Sequence, residues 1–252
     1  MCKGGLNMKD FLVFQLYGVL AAWGDIAVGE YRPSLGHPTK SAVTGLLGAA
    51  LGVDRSDEIQ HQQLTQQYGV AVCVHDFGEL LRDFHTIQVP GGKHRSSSRR
   101  DELCLDPLNL NTMLSTRDYH NDAFYQVAVW PRNDNVSYSL EMLKEHLQSP
   151  HFTLYLGRKS CPVGLPLFPV ISRNHTLQQA FESYPLEKAS NWIRMKPKPN
   201  ELHYYWEDGL SAEELGNLKA SMVYSRRDKI RSRRRWQFAS RDEFYASNQS
   251  GG

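Results

Sequence analysis

Two segments that resemble buried strands, each followed by a helical pattern, limit the folds open to this 252-residue chain more than any other feature. The first segment, 11–17, is rich in aromatic and β-branched residues, which is typical of a buried strand. A helix is predicted after it, with Thr39 or Ser41 as its cap, to about Leu51, where Gly52 can close it.

The second strand and helix lie in the middle of the chain. A hydrophobic strand at 124–130 leads into a helix whose leucines recur at helical spacing and which Pro150 ends. Between the two pairs, we expect Ser56 to cap a polar helix that Gly69 stops, and alternating valines at 70–74 predict one more strand. The predicted order is strand, helix, strand, strand, helix.

This order predicts an α+β protein with a ferredoxin-like domain, the split β-α-β architecture. Such a domain needs a closing strand, which we expect near 152–156 or 165–170. We place the domain at 8–171, a small C-terminal extension that packs on it at 172–247, and a frayed tail at 248–252.

A long insertion, about 77–122, separates the second and third predicted strands. Insertions of this length in compact domains are usually functional or disordered. Both 80–89 and 114–119 have strand character, and glycine, serine and basic residues lie between them. We therefore expect a protruding arm with a mobile basic end, and a disordered linker is the alternative.

Positive charge is concentrated in two places. The 29 Lys and Arg against 27 Asp and Glu leave a net charge of +2, which by itself implies no polyanionic partner. Between Arg226 and Arg241, however, eight basic residues accompany one acid, Asp228. The stretch 93–100 adds four basic residues and no acid.

Cysteine usage and hydropathy predict a cytoplasmic protein. The four cysteines are scattered, without a CxxC pair or zinc-ligand spacing. The segment 11–23 imitates a secretion signal, but Gln15 and Gly18 interrupt it. No uncharged apolar run approaches the length of a membrane span, so we expect no membrane partner.

The ten histidines do not form a recognisable catalytic motif. There is no HExxH, no GxSxG, no P-loop and no carboxylate cluster of metal-binding form, so we expect neither metal nor cofactor. Metal-free RNA cleavage would need a base for the 2′-hydroxyl and an acid for the leaving oxygen. The residues that could serve are His85, His37, Tyr31, Lys40 and Tyr119.

Four stretches combine the residue types that hold single-stranded RNA, namely rings or guanidinium groups for stacking and cations for phosphates. They are Arg82, Phe84 and His85; Arg117, Tyr119 and His120; the basic loop 155–160; and Arg233–Arg235 with Trp236, Phe238 and Arg241. Any one alone could be a solvated cationic face, and four on one small chain favour RNA.

Four blocks of the sequence resemble a known family. The stretch 22–52, with Trp23, Gly24, Arg32, Lys40 and Gly52, is similar to the N-terminal signature of the fifth CRISPR-associated (Cas) protein family in its subtype I-E Cascade form. Three later blocks agree in order: RDFHT at 82–86, YLGRKSCP at 155–162 and QFASR at 237–241. The tip of the insertion departs from the family pattern, and the run from Arg226 to Arg235 is more basic than expected.

The resemblance implies a fold and a role. The fold is a ferredoxin-like, RNA-recognition-like domain of the RAMP superfamily with a protruding β-thumb. The role is to cap a prokaryotic CRISPR surveillance complex in antiviral or anti-plasmid defence, or in another form of RNA-guided targeting of DNA. The chain would grip the 5′ handle of the CRISPR RNA, beside the backbone subunit, the large subunit and target DNA near the guide start.

The resemblance also implies site residues and leaves two alternatives. The expected RNA-binding residues are Trp23, Arg32, Lys40, Arg82, His85, Arg117, Tyr155, Arg158, Lys159, Ser160 and Arg241. Because another subunit cuts the repeat RNA in subtype I-E, we expect binding without catalysis. Relatives in subtype I-C cleave, so a metal-independent repeat-RNA endoribonuclease is one alternative, and a general single-strand RNA binder is the other.

Overall fold

The computed structural model describes residues 8–91, 97–186, 201–232, 235 and 237–249, and it has mixed α/β architecture with antiparallel sheets. Two short basic parts of the sequence, 92–96 and 233–234, and Trp236 lie outside the described residues. The elements are β1 (Lys9–Tyr17), β2 (Leu20–Ala21), β3 (Trp23–Gly24), β4 (Tyr31–Arg32), β5 (Ser34–Leu35), α1 (Lys40–Leu51), α2 (Glu58–Gln67), β6 (Tyr68–Asp76), β7 (Glu79–Pro90), α3 (Arg99–Leu103), a 3-10 turn (Pro107–Asn109), β8 (Leu110–Asn121), β9 (Phe124–Pro131), α4 (Leu140–Gln148), β10 (Val170–Asn174), α5 (Leu177–Glu182), β11 (Glu201–Trp206), α6 (Ala212–Leu215), β12 (Met222–Ser232) and β13 (Gln237–Gln249).

The main sheet has seven strands in the order β10-β1-β9-β6-β11-β13-β12, and each neighbouring pair is antiparallel. Its first four strands come from two interlocked strand–helix–strand units. In the first, β9 lies between β1 and β6, and in the second, β1 lies between β9 and β10. The predicted strands at 11–17, 70–74 and 124–130 are confirmed.

The closing strand, β10, begins at Val170, the last residue of the second range in which we expected it, 165–170, and extends to Asn174. The expectation at 152–156 is wrong, because this stretch is a loop in which Tyr155 forms an isolated bridge with Pro162. The stretch before β10 contains Pro166 and Pro169, which cannot donate hydrogen bonds to a ladder. It still contacts β1, since the amide of Gln15 donates to the carbonyl of Leu167 at 2.9 Å.

Both faces of the main sheet are buried, which explains the unbroken hydrophobic character of β1. Leu12, Phe14 and Leu16 pack on one side with residues of α1, α2 and α4. Phe11 and Val13 pack on the other side with α5. Alternate residues of a strand point to opposite faces, so β1 contributes to two cores at once.

Helix α1 begins and ends as the sequence predicts. The side chain of Thr39 accepts a hydrogen bond from the amide of Ala42, and Gly52 closes the helix with a φ of 79°, in the left-handed region. The expected cap of α2 is wrong, because Asp57 and not Ser56 accepts from the first turn. Gly69 does not stop α2 but lies in β6, where a Cβ would be 2.1 Å from the Trp130 ring.

The insertion forms a long hairpin of β7 and β8, paired continuously from Glu79 and Asn121 to Pro90 and Leu110. β8 also pairs with β2 and with β4, which makes a second, smaller sheet. The strand character at 80–89 and 114–119 is confirmed, and β8 begins four residues earlier than 114.

The C-terminal segment continues the main sheet, since β11 pairs with β6 on one side and with β13 on the other. Asn248 and Gln249, which we expected in a frayed tail, pair with Leu202 and Glu201, and the rest of that predicted tail, 250–252, lies outside the described residues. Within the described ranges, no helix has the length and apolar character needed to cross a membrane.

Candidate nucleic-acid interface

The hairpin places the predicted site residues on two faces. Paired residues of neighbouring strands share a face, and successive residues alternate. In the register, Arg117 of β8 lies between Arg32 of β4 and Asp83 of β7. Arg82 is paired with Asp118 and therefore projects to the opposite face. The hairpin thus presents two different surfaces.

The face of Arg82 carries a closed ion cluster. The Arg82 guanidinium donates to Asp118 Oδ1 at 2.8 Å and Oδ2 at 3.2 Å and to the Tyr31 hydroxyl at 2.9 Å, and it stacks 5.2 Å from the centre of the Tyr31 ring. The Tyr31 hydroxyl donates to Asp118 Oδ2 at 2.5 Å. Arg82 keeps the pKa of Asp118 low, and Asp118 raises the pKa of Tyr31, so this phenol stays protonated.

The other hairpin face, which carries Arg117, is less exposed, because most of its β7 side chains are only partly exposed. Arg117 is partly exposed and has no ion pair within the part of the chain that the structure describes. His85 lies on this face and contacts the carboxylate of Asp83 on the same strand. Arg32 is exposed, and its guanidinium donates to its own loop at the carbonyl of Gly29.

Arg158 joins the basic loop 155–160 to this sheet. Its two terminal nitrogens donate to the carbonyls of Asp118 at 3.1 Å and Arg32 at 3.0 Å. Its guanidinium lies over the ring of Tyr119, 4.8 Å from the centroid, and Tyr119 is buried. Arg158 therefore uses its donors to hold β4 against β8, a role that the sequence did not indicate.

The loop itself is closed tightly and exposes its tip. The amide of Leu156 donates to the carbonyl of Cys161 at 2.7 Å, and the carbonyl of Leu156 accepts from the amide of Ala22 at 3.0 Å. Gly157 has a φ of 84°, and a Cβ there would be 1.9 Å from the Ala22 carbonyl oxygen. Lys159 and Ser160 are exposed at the tip, and Tyr155 is 39% exposed beside them.

Three predicted RNA ligands are buried, and their expected direct contacts do not fit the structure. Trp23 is 2% exposed and packs edge-on against the Tyr125 ring at 5.6 Å, so it cannot stack on a base. Lys40 donates to both carboxylate oxygens of Glu207 at 2.7 Å, and burial lowers its pKa. Arg241 donates to Asp228 and Glu243 with a side chain only 9% exposed.

The acid–base candidates for RNA cleavage are not brought together. His37, Lys40 and Tyr119 are buried, and His37 stacks on Tyr205 at 3.6 Å while its Nε2 donates to Glu243 at 3.1 Å. Burial lowers the pKa of His37, so the ring stays neutral. His85 and Tyr31 are accessible but project from opposite faces of the hairpin sheet.

A groove that the sequence did not predict lies between the start of α1 and the β12–β13 hairpin. Its cavity volume is about 720 Å³, and it is lined in part by Arg227, Arg231 and Phe238. A second cavity of about 440 Å³ continues it to Tyr155 and Gly157 at the basic loop. The basic run from Arg226 was the only hint of this groove in the sequence. The other wall of the groove, at the start of α1, lies almost two hundred residues earlier in the chain, so the sequence alone could not bring the two together. Among the described residues, no cluster of three potential ligands for a metal ion is found.

Comparison with known proteins gives consistent matches. A family model described as CRISPR-associated protein (Cas_Cas5) matches residues 11–242. The chain is 32% identical over 180 residues to the CRISPR system Cascade subunit CasD of Escherichia coli (strain K12), covering 70% of this chain and 78% of that protein.

Two solved structures share the fold. One is described as a CRISPR RNA-guided surveillance complex, with a TM-score of 0.61, 20% identity and coverage of 95% of this chain and 90% of that chain. The other is described as a Cas protein, with a TM-score of 0.56, 24% identity and coverage of 94% and 93%. The expected α+β class agrees with the mixed α/β architecture and antiparallel sheets that this chain has, and these two structures share its fold.

Proposed function

This chain belongs to the CRISPR-associated Cas5 family, and from that premise we propose that it is a non-catalytic RNA-binding subunit of a subtype I-E Cascade surveillance complex. In this role it grips the 5′ handle of the CRISPR RNA in defence against viruses and plasmids. The observation that carries the proposal is the 32% identity to a Cascade subunit over 70% of the chain.

The RNA contacts of this proposal are five of the accessible predicted residues. Lys159, Ser160 and Tyr155 lie at the exposed part of the basic loop, and Arg117 and Arg32 lie side by side on one hairpin face. Arg158 joins these two surfaces through the carbonyls of Asp118 and Arg32. In this proposal exposed cations bind phosphates and Tyr155 stacks on a base, which are the contacts that RNA single strands use.

The same premise gives names to parts of the fold. The first four strands of the main sheet, β10-β1-β9-β6, have the order and directions of a ferredoxin-like sheet, which supports a RAMP domain that β10 closes. The β7–β8 hairpin is the β-thumb in this assignment. The segment from β11 onward is the C-terminal extension, and it lengthens the RAMP sheet at β6.

The proposed partners follow from the same assignment. The hairpin face opposite Arg117 carries Leu80, Phe84 and Leu114, which are 58%, 73% and 56% exposed. Large exposed apolar residues are typical of surfaces that meet another protein, so this face suits the backbone subunit. The large subunit, and target DNA near the guide start, are the other proposed partners of a complex that works in the cytoplasm.

The absence of catalysis is supported by where the acid–base candidates lie. A base and an acid must both reach one ribose phosphate. Three of the five candidates are buried, and the accessible pair, His85 and Tyr31, projects from opposite faces of one sheet. This arrangement favours binding over the alternative of a repeat-RNA endoribonuclease.

Competition binding tests the proposal. Labelled repeat-derived RNA with its 5′ handle is bound to the full chain and displaced by unlabelled RNA of the same sequence or of the same composition in scrambled order. We expect the handle-bearing RNA to compete at least tenfold better. Equal competition would contradict handle recognition and would leave a general single-strand binder.

A further inference from the structure

The cations of the β12–β13 hairpin that the structure describes fall into two sets, and the first set is neutralised inside the protein. Arg241 pairs with Asp228 at 2.6 and 3.0 Å. Arg226 pairs with Glu243 at 2.7 Å. The side chains of these two arginines are at most 20% exposed. These pairs fasten the hairpin to α1, because Asp228 also accepts from the amide of Ser41.

The second set points to solvent. Arg227, Lys229, Arg231 and Arg235 are exposed and have no ion pair within the described parts of the chain. The pairing of β12 and β13 is irregular between Arg226 and Lys229. Such an irregularity re-aims side chains, and here it separates exposed Arg227 from its paired neighbours. The acids Asp228 and Glu243 are already paired with the first set, and the third acid of the hairpin strands, Asp242, is exposed in β13 and forms no ion pair with these cations within the described residues.

Two of these exposed cations, Arg227 and Arg231, line the groove of about 720 Å³ described above. The opposite wall includes Ile26, which is 67% exposed, and the backbone around Gly24. Gln237 and Phe238 also line the groove on the hairpin side, as do Arg226 and Asp228 of the paired set. Guanidinium groups next to an accessible ring and an amide are the ingredients of sites for single nucleic-acid strands.

The start of α1 is not the anion site here. The side chain of Thr39 already accepts from the amide of Ala42, and Asp228 accepts from that of Ser41 at 3.4 Å. The other acid in the lining, Asp25, accepts from the amide of Ile26 at 2.7 Å. The attraction for an anion therefore comes from Arg227 and Arg231.

The groove continues to the basic loop. The cavity of about 440 Å³ shares Gly24, Thr39, Ser41 and Phe238 with the larger one and ends at Tyr155 and Gly157. A strand held at the loop tip by Lys159 could enter the groove without leaving the protein surface. One continuous path thus connects two basic surfaces that lie about 70 residues apart in the sequence.

We propose that this groove is a second nucleic-acid site, which binds the phosphodiester backbone of a single strand through Arg227 and Arg231 while Phe238 and Gln237 face its bases. The inference rests on the proposed RNA-binding function but adds a surface to it. The strand is either a continuation of the CRISPR RNA or a single strand of DNA, and both offer the same phosphodiester chemistry.

The test uses the full chain and the double variant Arg227→Gln/Arg231→Gln. Affinities for a repeat-derived RNA and for a DNA strand of the same length and sequence are measured at several salt concentrations. The slope of log K against log salt is negative, and losing two phosphate contacts makes it shallower by about 1.4. Between 50 and 200 mM salt the wild type therefore loses about sevenfold more affinity than the variant. A slope change with RNA alone identifies RNA as the source, and a change with DNA alone identifies DNA.

Lys229→Gln/Arg235→Gln is the matched control, because it removes two exposed cations of the same hairpin that do not line the groove. We expect its slope to match that of the wild type. An unchanged slope for the groove variant with both strands, or an equal fall in the control, overturns the inference. Crosslinking of thiouridine-containing RNA to Phe238 gives a second readout that does not depend on charge.

The failure of this inference can be told apart from the failure of the proposed function. The variant Arg117→Gln/Lys159→Gln removes cations of the hairpin face and the loop. If it lowers the RNA slope and the groove variant does not, the groove inference is wrong and the proposed function stands. If neither variant changes the slope, both are wrong.

Discussion

The ammonium of Lys40 lies 2.7 Å from both carboxylate oxygens of Glu207, and both residues are at least 93% buried. Lys40 also donates to the carbonyl of Tyr68 at 3.1 Å, so its three donors are used inside the protein. Arg132 contacts the same carboxylate at 2.8 Å. Lys40 therefore fastens the start of α1 to the loop after β11, and it has no donor left for RNA.

Replacing Lys40 should affect stability and not RNA binding. Lys40→Met removes the cation while keeping most of the side chain, and it leaves Glu207 buried with Arg132 as its remaining ion pair. We expect the free energy of unfolding to fall by about 3 kcal/mol, measured by urea denaturation.

Lys159→Met is the matched control, because Lys159 is exposed at the loop tip. It should leave the free energy of unfolding within about 0.5 kcal/mol of the wild type. It should also lower the slope of log K against log salt for RNA by about 0.7. The reverse pattern, with RNA binding weakened by Lys40→Met in a fully stable protein, would contradict the structural role of Lys40.

Arg158 should behave as a positioning residue. Arg158→Lys keeps the charge but loses the second carbonyl hydrogen bond and the stacking on Tyr119. We expect a loss of about 2 kcal/mol in the free energy of unfolding and an unchanged salt slope for RNA. A full-strength fold with weaker RNA binding would instead make Arg158 a direct phosphate ligand.

Gly157 should tolerate no side chain. Its φ is 84°, and the Cβ of an alanine there would lie 1.9 Å from the Ala22 carbonyl oxygen, so Gly157→Ala must move the basic loop or the backbone at Ala22. We expect a loss of more than about 1 kcal/mol in the free energy of unfolding. Gly24→Ala is the comparison, because a Cβ there meets nothing within 4 Å. Equal stability of the two variants would contradict the loop geometry.

Glu243 should make stability depend on pH in the acid range. Burial opposes its ionisation, but the hydrogen bonds from His37 and Arg226 and the charge of Arg241 outweigh burial and lower its pKa to about 2. The unfolded chain therefore binds this proton more tightly, so the stabilisation is complete above the ordinary pKa of 4.5 and is lost as pH falls towards 2.

The variant Glu243→Gln isolates this contribution. We expect the free energy of unfolding of the wild type to fall by roughly 3 kcal/mol more than that of the variant between pH 5 and 2. Guanidinium or urea titrations at fixed pH values measure it. Parallel pH profiles for the two proteins would show that Glu243 has an ordinary pKa in the folded state.

The elements that could be predicted from the sequence are those set by local patterns. The cap at Thr39 and the glycine at Gly52 predict both ends of α1 to within one helical turn. The buried leucines of α4 recur at helical spacing, which predicts that helix. β1 is hydrophobic throughout because both of its faces are covered. The closing strand was harder, because β10 is short and only partly buried.

The roles of the basic residues could not be predicted, because they depend on distant partners. Lys40, Arg241 and Lys159 all lie in sequence blocks that resemble the family. In the folded chain, Lys40 and Arg241 lie beside acids and form ion pairs with them, whereas Lys159 is exposed. Glu207 is 167 residues from Lys40 in the sequence. The groove has the same origin, since α1 and the β12–β13 hairpin meet only in the folded chain.

The most direct test incubates the full chain, alone or with neighbouring subunits of its complex, with labelled repeat RNA in excess chelator and resolves binding and cleavage on one gel. We predict a shifted and uncut band that favours RNA bearing the 5′ handle. A discrete cut at the handle boundary that persists in chelator and disappears in His85→Ala would contradict it and would make this chain a metal-independent endoribonuclease.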